Sequence, residues 1–109
     1  HLVGPVAGDD VADWLSGADV FLSASRHEGS GYALIEALRC GCTPVVSDIP
    51  PHRAIVGATG DRFPSGDSGL GAAALADVPI DRAAAVGRFE SALTWGHVAA
   101  QLRLVYDQW

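Results

Sequence analysis

The sequence predicts an α/β fold in which helices flank a parallel β-sheet. Two observations support this prediction. Short apolar runs, such as residues 44–47, alternate along the chain with segments whose apolar residues recur at helical spacing. That alternation is typical of a parallel sheet with helical crossovers. The chain has 109 residues, of which 49% are hydrophobic, so it is long enough for one domain with its own core.

The local signals give the following elements in chain order. The predicted strands are residues 2–4, 20–23, 44–47 and 61–63. The predicted helices are one capped by Asp9 and residues 32–40, 50–56, 70–76, 81–93 and 95–108. Gly41 stands where a left-handed residue ends a helix, and Pro50 stands where a first turn tolerates proline. Residues 65–71 are predicted as a loop, and the helical segment from residue 67 onward is predicted to pack on the sheet. The apolar face of the last helix comprises Val98, Leu102, Val105 and Tyr106.

Composition excludes several classes of function. The net charge of −6 argues against a nucleic-acid partner, which requires a basic surface. No apolar run approaches the roughly 20 residues of a membrane span, and the N-terminus lacks the basic region of a signal peptide. A cytoplasmic location is therefore expected, with attachment of the whole protein to the inner membrane face left open. Cys40 and Cys42 are too few for a zinc site and are expected to be reduced thiols at a helix–strand junction.

The most informative stretch is residues 25–36, which read SRHEGSGYALIE. Glu28 and Glu36 bracket a Gly-Ser-Gly turn that follows a predicted strand and opens a predicted helix. A helix start presents free N–H groups and a positive dipole end, which suit phosphate. Carboxylates accept hydrogen bonds from sugar hydroxyls. One stretch thus holds hydrogen-bond donors that suit phosphate and hydrogen-bond acceptors that suit sugar hydroxyls. Together these groups suggest a nucleotide-sugar ligand.

These residues resemble the E-x7-E signature of retaining glycosyltransferases of the family 4 type, also called group 1, which have the two-domain GT-B fold. The match continues through the ordered segments DVFLSAS (19–25), EGSG (28–31), EALRCGCTPVVSD (36–48) and DIPPHR (48–53), and the late helix from Trp95. The resemblance covers nearly the whole chain. It implies that residues 1–109 are the later part of the nucleotide-sugar-binding C-terminal domain, a partial Rossmann-like sheet flanked by helices.

The resemblance also assigns roles within the stretch. Glu28 is implied to be catalytic and to contact the donor sugar near the reacting centre, and Glu36 to accept hydrogen bonds from the ribose hydroxyls. The implied donor-binding residues are Glu28, Gly29, Ser30, Gly31, Tyr32, Ala33, Leu34 and Glu36. No metal and no cofactor are implied. Alternatives remain for both acids: Glu28 could be a solvated loop acid, and Glu36 part of the polar stripe of an amphipathic helix.

The implied function is sugar transfer from a nucleotide-diphosphate sugar to a glycan, lipid or small-molecule acceptor, by a longer protein. The chain contains no Met, so it is expected to be processed or part of such a protein. The basic pair that the family uses on the diphosphate and the N-terminal acceptor domain both lie outside this sequence, so the isolated chain is expected to be inactive. One alternative is a non-catalytic nucleotide or sugar-phosphate binding module, and another is a structural fragment without a ligand. The free edge of the strand at residues 20–23 is expected to pair with a second copy, forming a homodimer, or with residues 2–4.

Overall fold

A computed structural model of the chain describes residues 1–108 and confirms the α/β fold. Within those residues, three parallel strands form one sheet that helices flank, as in a Rossmann-like domain. The strands are β1 (Val20–Ser23), β2 (Thr43–Ser47) and β3 (Asp61–Phe63). The α-helices are α1 (Val11–Gly17), α2 (Tyr32–Arg39), α3 (Pro50–Val56), α4 (Ser68–Asp77), α5 (Arg82–Ala92) and α6 (Trp95–Tyr106). A short 3-10 turn, Gly8–Asp10, precedes α1.

The sheet has the order β1-β2-β3, so β2 lies in the centre and the other two strands form the edges. Every residue of β2 is buried, which means that helices cover both faces of the sheet at this strand. By contrast, β1 is half-buried, and Leu22 keeps 51% of its surface exposed. Because all three strands are parallel, their carboxyl ends meet at one edge of the sheet, where the loops after β1 and β2 lie.

The core joins α2, β2, α3 and α5. Its fully or nearly fully buried members are Leu34, Leu38, Val46, Ile55, Val56 and Ala85, with Phe21, Ile35, Phe89 and Leu93 packed against them. Two of these, Leu34 and Leu38, are four residues apart on α2 and lie on one face of that helix. Burying them fixes how α2 sits on the sheet, and so fixes where its N-terminus points.

The end of α2 confirms the predicted glycine cap. Gly41 has a φ of 86° and donates its N–H to the carbonyl of Leu38 at 3.0 Å. The next N–H, that of Cys42, bonds to the carbonyl of Ala37 at 2.9 Å. These two bonds form a Schellman motif, which satisfies carbonyls that the helix itself leaves without donors. Cys40 and Cys42 are free thiols, as predicted, and Cys42 is buried.

Two predictions about the N-terminal segment are wrong. Residues 2–4 form no strand: Leu2 is 98% exposed, and Gly4 has a φ of 81°, outside the range of a strand. Pairing of this segment with β1 is therefore absent as well. A three-residue strand gains too few hydrogen bonds to form without a neighbouring strand, which explains why residues 2–4 are irregular.

The helix cap predicted at Asp9 is the second wrong prediction. Asp9 does not cap a helix with its side chain, because the chain enters α1 through the 3-10 turn that contains Asp9 itself.

The C-terminal helices confirm the predicted positions but differ in their packing. The predicted loop at residues 65–71 is shorter than expected, because Asp67 accepts a hydrogen bond from the N–H of Leu70 at 2.9 Å and starts α4 at Ser68. Helices α4 and α5 contact the sheet, as predicted, whereas α6 packs against α5. The predicted apolar face of α6 is largely exposed, with Tyr106 at 74%. Among residues 1–108 no helix is long and apolar enough to cross a membrane.

Candidate functional site

The candidate site lies at the carboxyl edge of the sheet, where the chain leaves β1, forms a loop and enters α2. Every residue implied by the resemblance falls in this loop or on α2. The loop residues Glu28, Gly29 and Ser30 are exposed, and so are Tyr32 and Ala33 at the start of the helix. Leu34 contributes only its backbone to this edge, since its side chain is 2% exposed and lies in the core.

Gly31 shapes the entry into α2. Its φ of 66° is left-handed, a conformation that glycine adopts without strain. A Cβ at this position would also collide with Cδ1 of Ile55, so the side chain of Ile55 would have to move to admit any other residue here. Gly31 thus serves a geometric purpose, in the left-handed conformation and in the close approach.

The first turn of α2 has free donors. Among residues 1–108, no oxygen accepts a hydrogen bond from the N–H groups of Tyr32, Ala33 or Leu34. The first helical N–H with an acceptor is that of Ile35, which bonds to the carbonyl of Gly31 at 3.1 Å. The N-cap position holds glycine and supplies no side-chain acceptor. Three donors at the positive end of the helix dipole therefore lack an acceptor within residues 1–108, and an anion can satisfy such donors.

Glu28 has a hydrogen-bond partner although it is exposed. Its Oε1 accepts a hydrogen bond from the hydroxyl of Ser25 at 2.7 Å, and the hydroxyl of Ser23 donates to that of Ser25 at 3.2 Å. Both serines are half-buried at the end of β1 and in the loop that follows. The structure thus ties the carboxylate to the end of the strand, which is a firmer arrangement than a freely solvated loop acid would have.

Glu36 lies on the exposed side of α2, four residues beyond Tyr32 and therefore about 6 Å further along the helix axis. It lines two clefts, one on each side of the helix. The first has a volume of about 590 Å³, and Tyr32, Phe89 and Trp95 also line it. The second has a volume of about 470 Å³, and Val11 is among its other lining residues. Glu36 is thus part of two concave surfaces as well as of the polar face of its helix.

Two adjacent residues of the matched segment 48–53, His52 and Arg53, have partners within the fold. His52 is 1% exposed and hydrogen-bonds within the fold, so it does not face a ligand. Arg53 donates to Oδ1 of Asp48 at 2.7 Å, and Arg62 lies 3.8 Å from the same oxygen. The hydrogen bond from Arg53 lowers the pKa of Asp48 below its ordinary value. These two arginines therefore neutralise a carboxylate of the chain itself.

Sequence reasoning missed Ser25 and Ser47 as members of this edge. The hydroxyl of Ser47, at the end of β2, donates to the backbone carbonyl of Ser25 at 2.5 Å. Serines at strand ends are common, and no local pattern separates a structural serine from one that orients a functional acid. The available signal was positional: Ser47 ends β2 and Ser25 lies two residues beyond β1, at the carboxyl edge where ligands bind in open α/β sheets.

Comparison with known proteins gives a family for this arrangement. Residues 1–79 match the family model described as glycosyl transferases group 1. Two curated relatives carry the name GDP-mannose:cellobiosyl-diphosphopolyprenol alpha-mannosyltransferase. The protein from Xanthomonas oryzae pv. oryzae (strain PXO99A) is 34% identical over 93 residues, and that from Xanthomonas campestris is 33% identical over 93 residues. In both cases the match covers 77% of this chain and 24% of the relative, so the chain spans about a quarter of their length. No solved structure matches the chain significantly.

Proposed function

The chain belongs to the group 1 glycosyltransferase family, and we propose that it forms the later part of the donor-binding, C-terminal domain of a retaining enzyme with the GT-B fold. In this proposal the whole protein transfers a sugar from a nucleotide-diphosphate sugar to an acceptor. The chain supplies donor-binding residues, and the remainder of the protein supplies the acceptor domain and the basic side chains for the diphosphate. No metal ion and no cofactor take part.

The observation that carries the proposal is the open N-terminus of α2 between two carboxylates. The free N–H groups of residues 32–34 and the helix dipole offer positive potential to a diphosphate. This local potential matters because the chain has a net charge of −6 and would otherwise repel an anionic donor. The same donors would stabilise charge that accumulates on the diphosphate as it leaves the sugar, which is how such preorganised groups lower a barrier.

The two acids take different roles in the proposal. Glu28, which Ser25 orients, faces the donor sugar near the reacting carbon. Glu36, which lies about 6 Å beyond Tyr32 along the axis of α2, accepts hydrogen bonds from the ribose hydroxyls. This order follows the geometry of the donor, in which a diphosphate separates sugar from ribose: the diphosphate meets the helix start and the two sugars lie on either side of it. A group close to the reacting carbon should contribute more to the transition state than to binding.

The names of the relatives suggest which substrates to test first. Both names specify GDP-mannose as donor and a diphosphopolyprenol-linked acceptor. We therefore take GDP-mannose as the first donor to test. A polyprenol chain is apolar, so an acceptor of this kind would hold the whole protein at a membrane surface. We propose the inner, cytoplasmic face as that surface.

Kinetics of the whole protein test the proposal. Donor affinity is measured by calorimetric titration with GDP-mannose, UDP-glucose and ADP-glucose, and turnover with the donor that binds. Glu36→Ala should weaken donor binding about 10-fold to 100-fold, since a charge-assisted hydrogen bond contributes roughly 1.5–3 kcal/mol. Glu28→Gln should lower kcat more than it raises the KM for the donor.

The chain offers a matched control in Glu90, its third glutamate, which is exposed on α5. Glu90→Gln should leave affinity and turnover unchanged. If Glu36→Ala binds the donor as tightly as the unmodified protein, Glu36 belongs to the solvated face of α2. If the protein binds a nucleotide-sugar but neither transfers nor hydrolyses it, the alternative of a non-catalytic binding module is the better description.

A further inference from the structure

A chain of hydrogen bonds connects the core of the molecule to Glu28. His52 Nδ1 lies 2.8 Å from the carbonyl oxygen of Ser47 and 3.3 Å from its hydroxyl. That hydroxyl donates to the backbone carbonyl of Ser25 at 2.5 Å. The hydroxyl of Ser25 in turn donates to Oε1 of Glu28 at 2.7 Å. The contacts thus pass from α3, through the end of β2, to the loop after β1.

The acceptors determine which atom donates in each of these hydrogen bonds. A carbonyl oxygen only accepts, so Nδ1 of His52 must carry the hydrogen. The hydroxyl hydrogen of Ser47 is directed to the carbonyl of Ser25, which leaves its oxygen free to accept from His52. An ionised carboxylate also only accepts, so the Ser25 hydroxyl donates to Glu28. Each of the three side chains therefore donates to the next residue toward Glu28, and the single Nδ1 hydrogen of His52 is shared between the carbonyl and the hydroxyl of Ser47.

Burial makes the inner part of this network rigid. Ser47 is 0% exposed and His52 is 1% exposed, so water cannot replace their partners without opening the core. A buried polar group that loses its partner is strongly unfavourable, because no water is present to replace that partner. The outer part, at Ser25, is half-buried, and Glu28 itself is exposed. The network therefore starts on rigid elements and ends at a carboxylate on a loop that has no regular structure of its own.

We propose that Ser25, Ser47 and His52 are positioning residues that fix the carboxylate of Glu28 for sugar transfer. This inference rests on the proposed function of Glu28. Ser47 holds the backbone of Ser25 in place, and the side chain of Ser25 holds one carboxylate oxygen of Glu28. The second oxygen of Glu28 has no hydrogen bond within residues 1–108, which leaves it available to the donor sugar. Placing a catalytic group accurately before the substrate arrives lowers the barrier to reaction, and a displacement of about 1 Å can cost up to 100-fold in rate.

The test uses Ser25→Ala in the whole protein, because Ser25 lies in the loop and its loss leaves the core intact. The donor is GDP-mannose, and the acceptor is the cellobiosyl-diphosphopolyprenol in the relatives' names. The expected result is a fall in kcat of about 10-fold to 100-fold with the KM for GDP-mannose changed less than twofold. Ser25→Thr, which keeps the hydroxyl, should restore most of the rate. Ser91→Ala, at an exposed serine on α5 whose hydroxyl bonds only to the carbonyl of Arg88 in the same helix, is the control and should match the unmodified protein.

A double variant separates positioning from a general structural effect. If Ser25 acts only through Glu28, Ser25→Ala combined with Glu28→Gln should be no slower than Glu28→Gln alone. Additive losses of kcat in the double variant would overturn the inference. Full activity of Ser25→Ala beside an impaired Glu28→Gln would overturn it as well. In both cases the proposed function would stand. Full activity of Glu28→Gln, or no turnover by the unmodified protein, would instead overturn the proposed function and this inference with it.

Discussion

The guanidinium group of Arg82 is predicted to hold three segments of the fold together. It donates to the carbonyls of Ser16 at 2.7 Å, Ala18 at 2.8 Å and Cys40 at 3.1 Å. These carbonyls lie at the carboxyl ends of α1 and α2, where helices lack internal donors and carry negative potential. Arg82 is the first residue of α5, so it links α5 to both helices. Arg82→Ala should therefore destabilise the chain.

The expected loss is moderate because water reaches the site. The Arg82 side chain is 43% exposed, so solvent can satisfy each carbonyl when the guanidinium is removed. We therefore take about 0.5 kcal/mol for each hydrogen bond, the low end of the usual range, which gives about 1.5 kcal/mol for the three. The ion pair with Asp19 adds little, since its atoms are 3.8 Å apart and Asp19 is 75% exposed. For a domain of this size the loss corresponds to a fall in Tm of roughly 6–12 °C.

Urea unfolding of the chain, followed by tryptophan fluorescence and circular dichroism, measures this loss. Arg103→Ala is the matched control, since Arg103 is an exposed helical arginine whose side chain makes no hydrogen bond within residues 1–108. The control should change the free energy of unfolding by less than about 0.5 kcal/mol. Arg82→Lys should recover only part of the loss, because one ammonium group cannot reach three carbonyls with the same geometry. If Arg82→Ala unfolds at the same urea concentration as Arg103→Ala, α5 does not clamp the two helices.

Three further outcomes are expected. Gly60→Ala should destabilise the chain strongly in urea unfolding, because its φ is 69° and a Cβ would collide with the backbone carbonyl of Pro44 in β2. Gly66→Ala is the milder comparison: it should cost only the strain of its left-handed φ of 88°, since the nearest atom to its Cβ belongs to the guanidinium group of Arg26, 3.6 Å away. Mass spectrometry after brief treatment with iodoacetamide at neutral pH should find Cys40 labelled before Cys42, since burial raises the pKa of the Cys42 thiol; equal labelling would contradict its burial. Sedimentation of the isolated chain should reveal a dimer that forms through the free edge of β1, and a monomer at all concentrations would show that this edge tolerates water.

The sequence was sufficient to predict the elements that depend on local signals. The run at residues 44–47 has two adjacent β-branched residues and forms the central strand. Gly41 ends α2 as predicted, because only a left-handed residue closes the helix in this way. The prediction for residues 2–4 failed for the opposite reason. A strand that short depends on a neighbouring strand, which local sequence does not report.

The contacts that support the candidate site are long-range and could not be predicted. The bond between Ser47 and Ser25 joins residues 22 positions apart, and Arg82 reaches the carbonyl of Ser16 across 66 positions. The family motif located the two acids and the turn, but not which groups orient them. Likewise, the helical periodicity of α6 predicted an apolar face without showing that the described fold leaves this face largely exposed.

A crystal structure of the whole protein with bound GDP tests the proposed donor site. The diphosphate should lie within hydrogen-bonding distance of the backbone N–H groups of residues 32–34. The ribose hydroxyls should contact the carboxylate of Glu36, and Glu28 should face the position that the donor sugar would occupy. A nucleotide bound elsewhere, with the N-terminus of α2 facing only solvent, would show that α2 does not bind the donor.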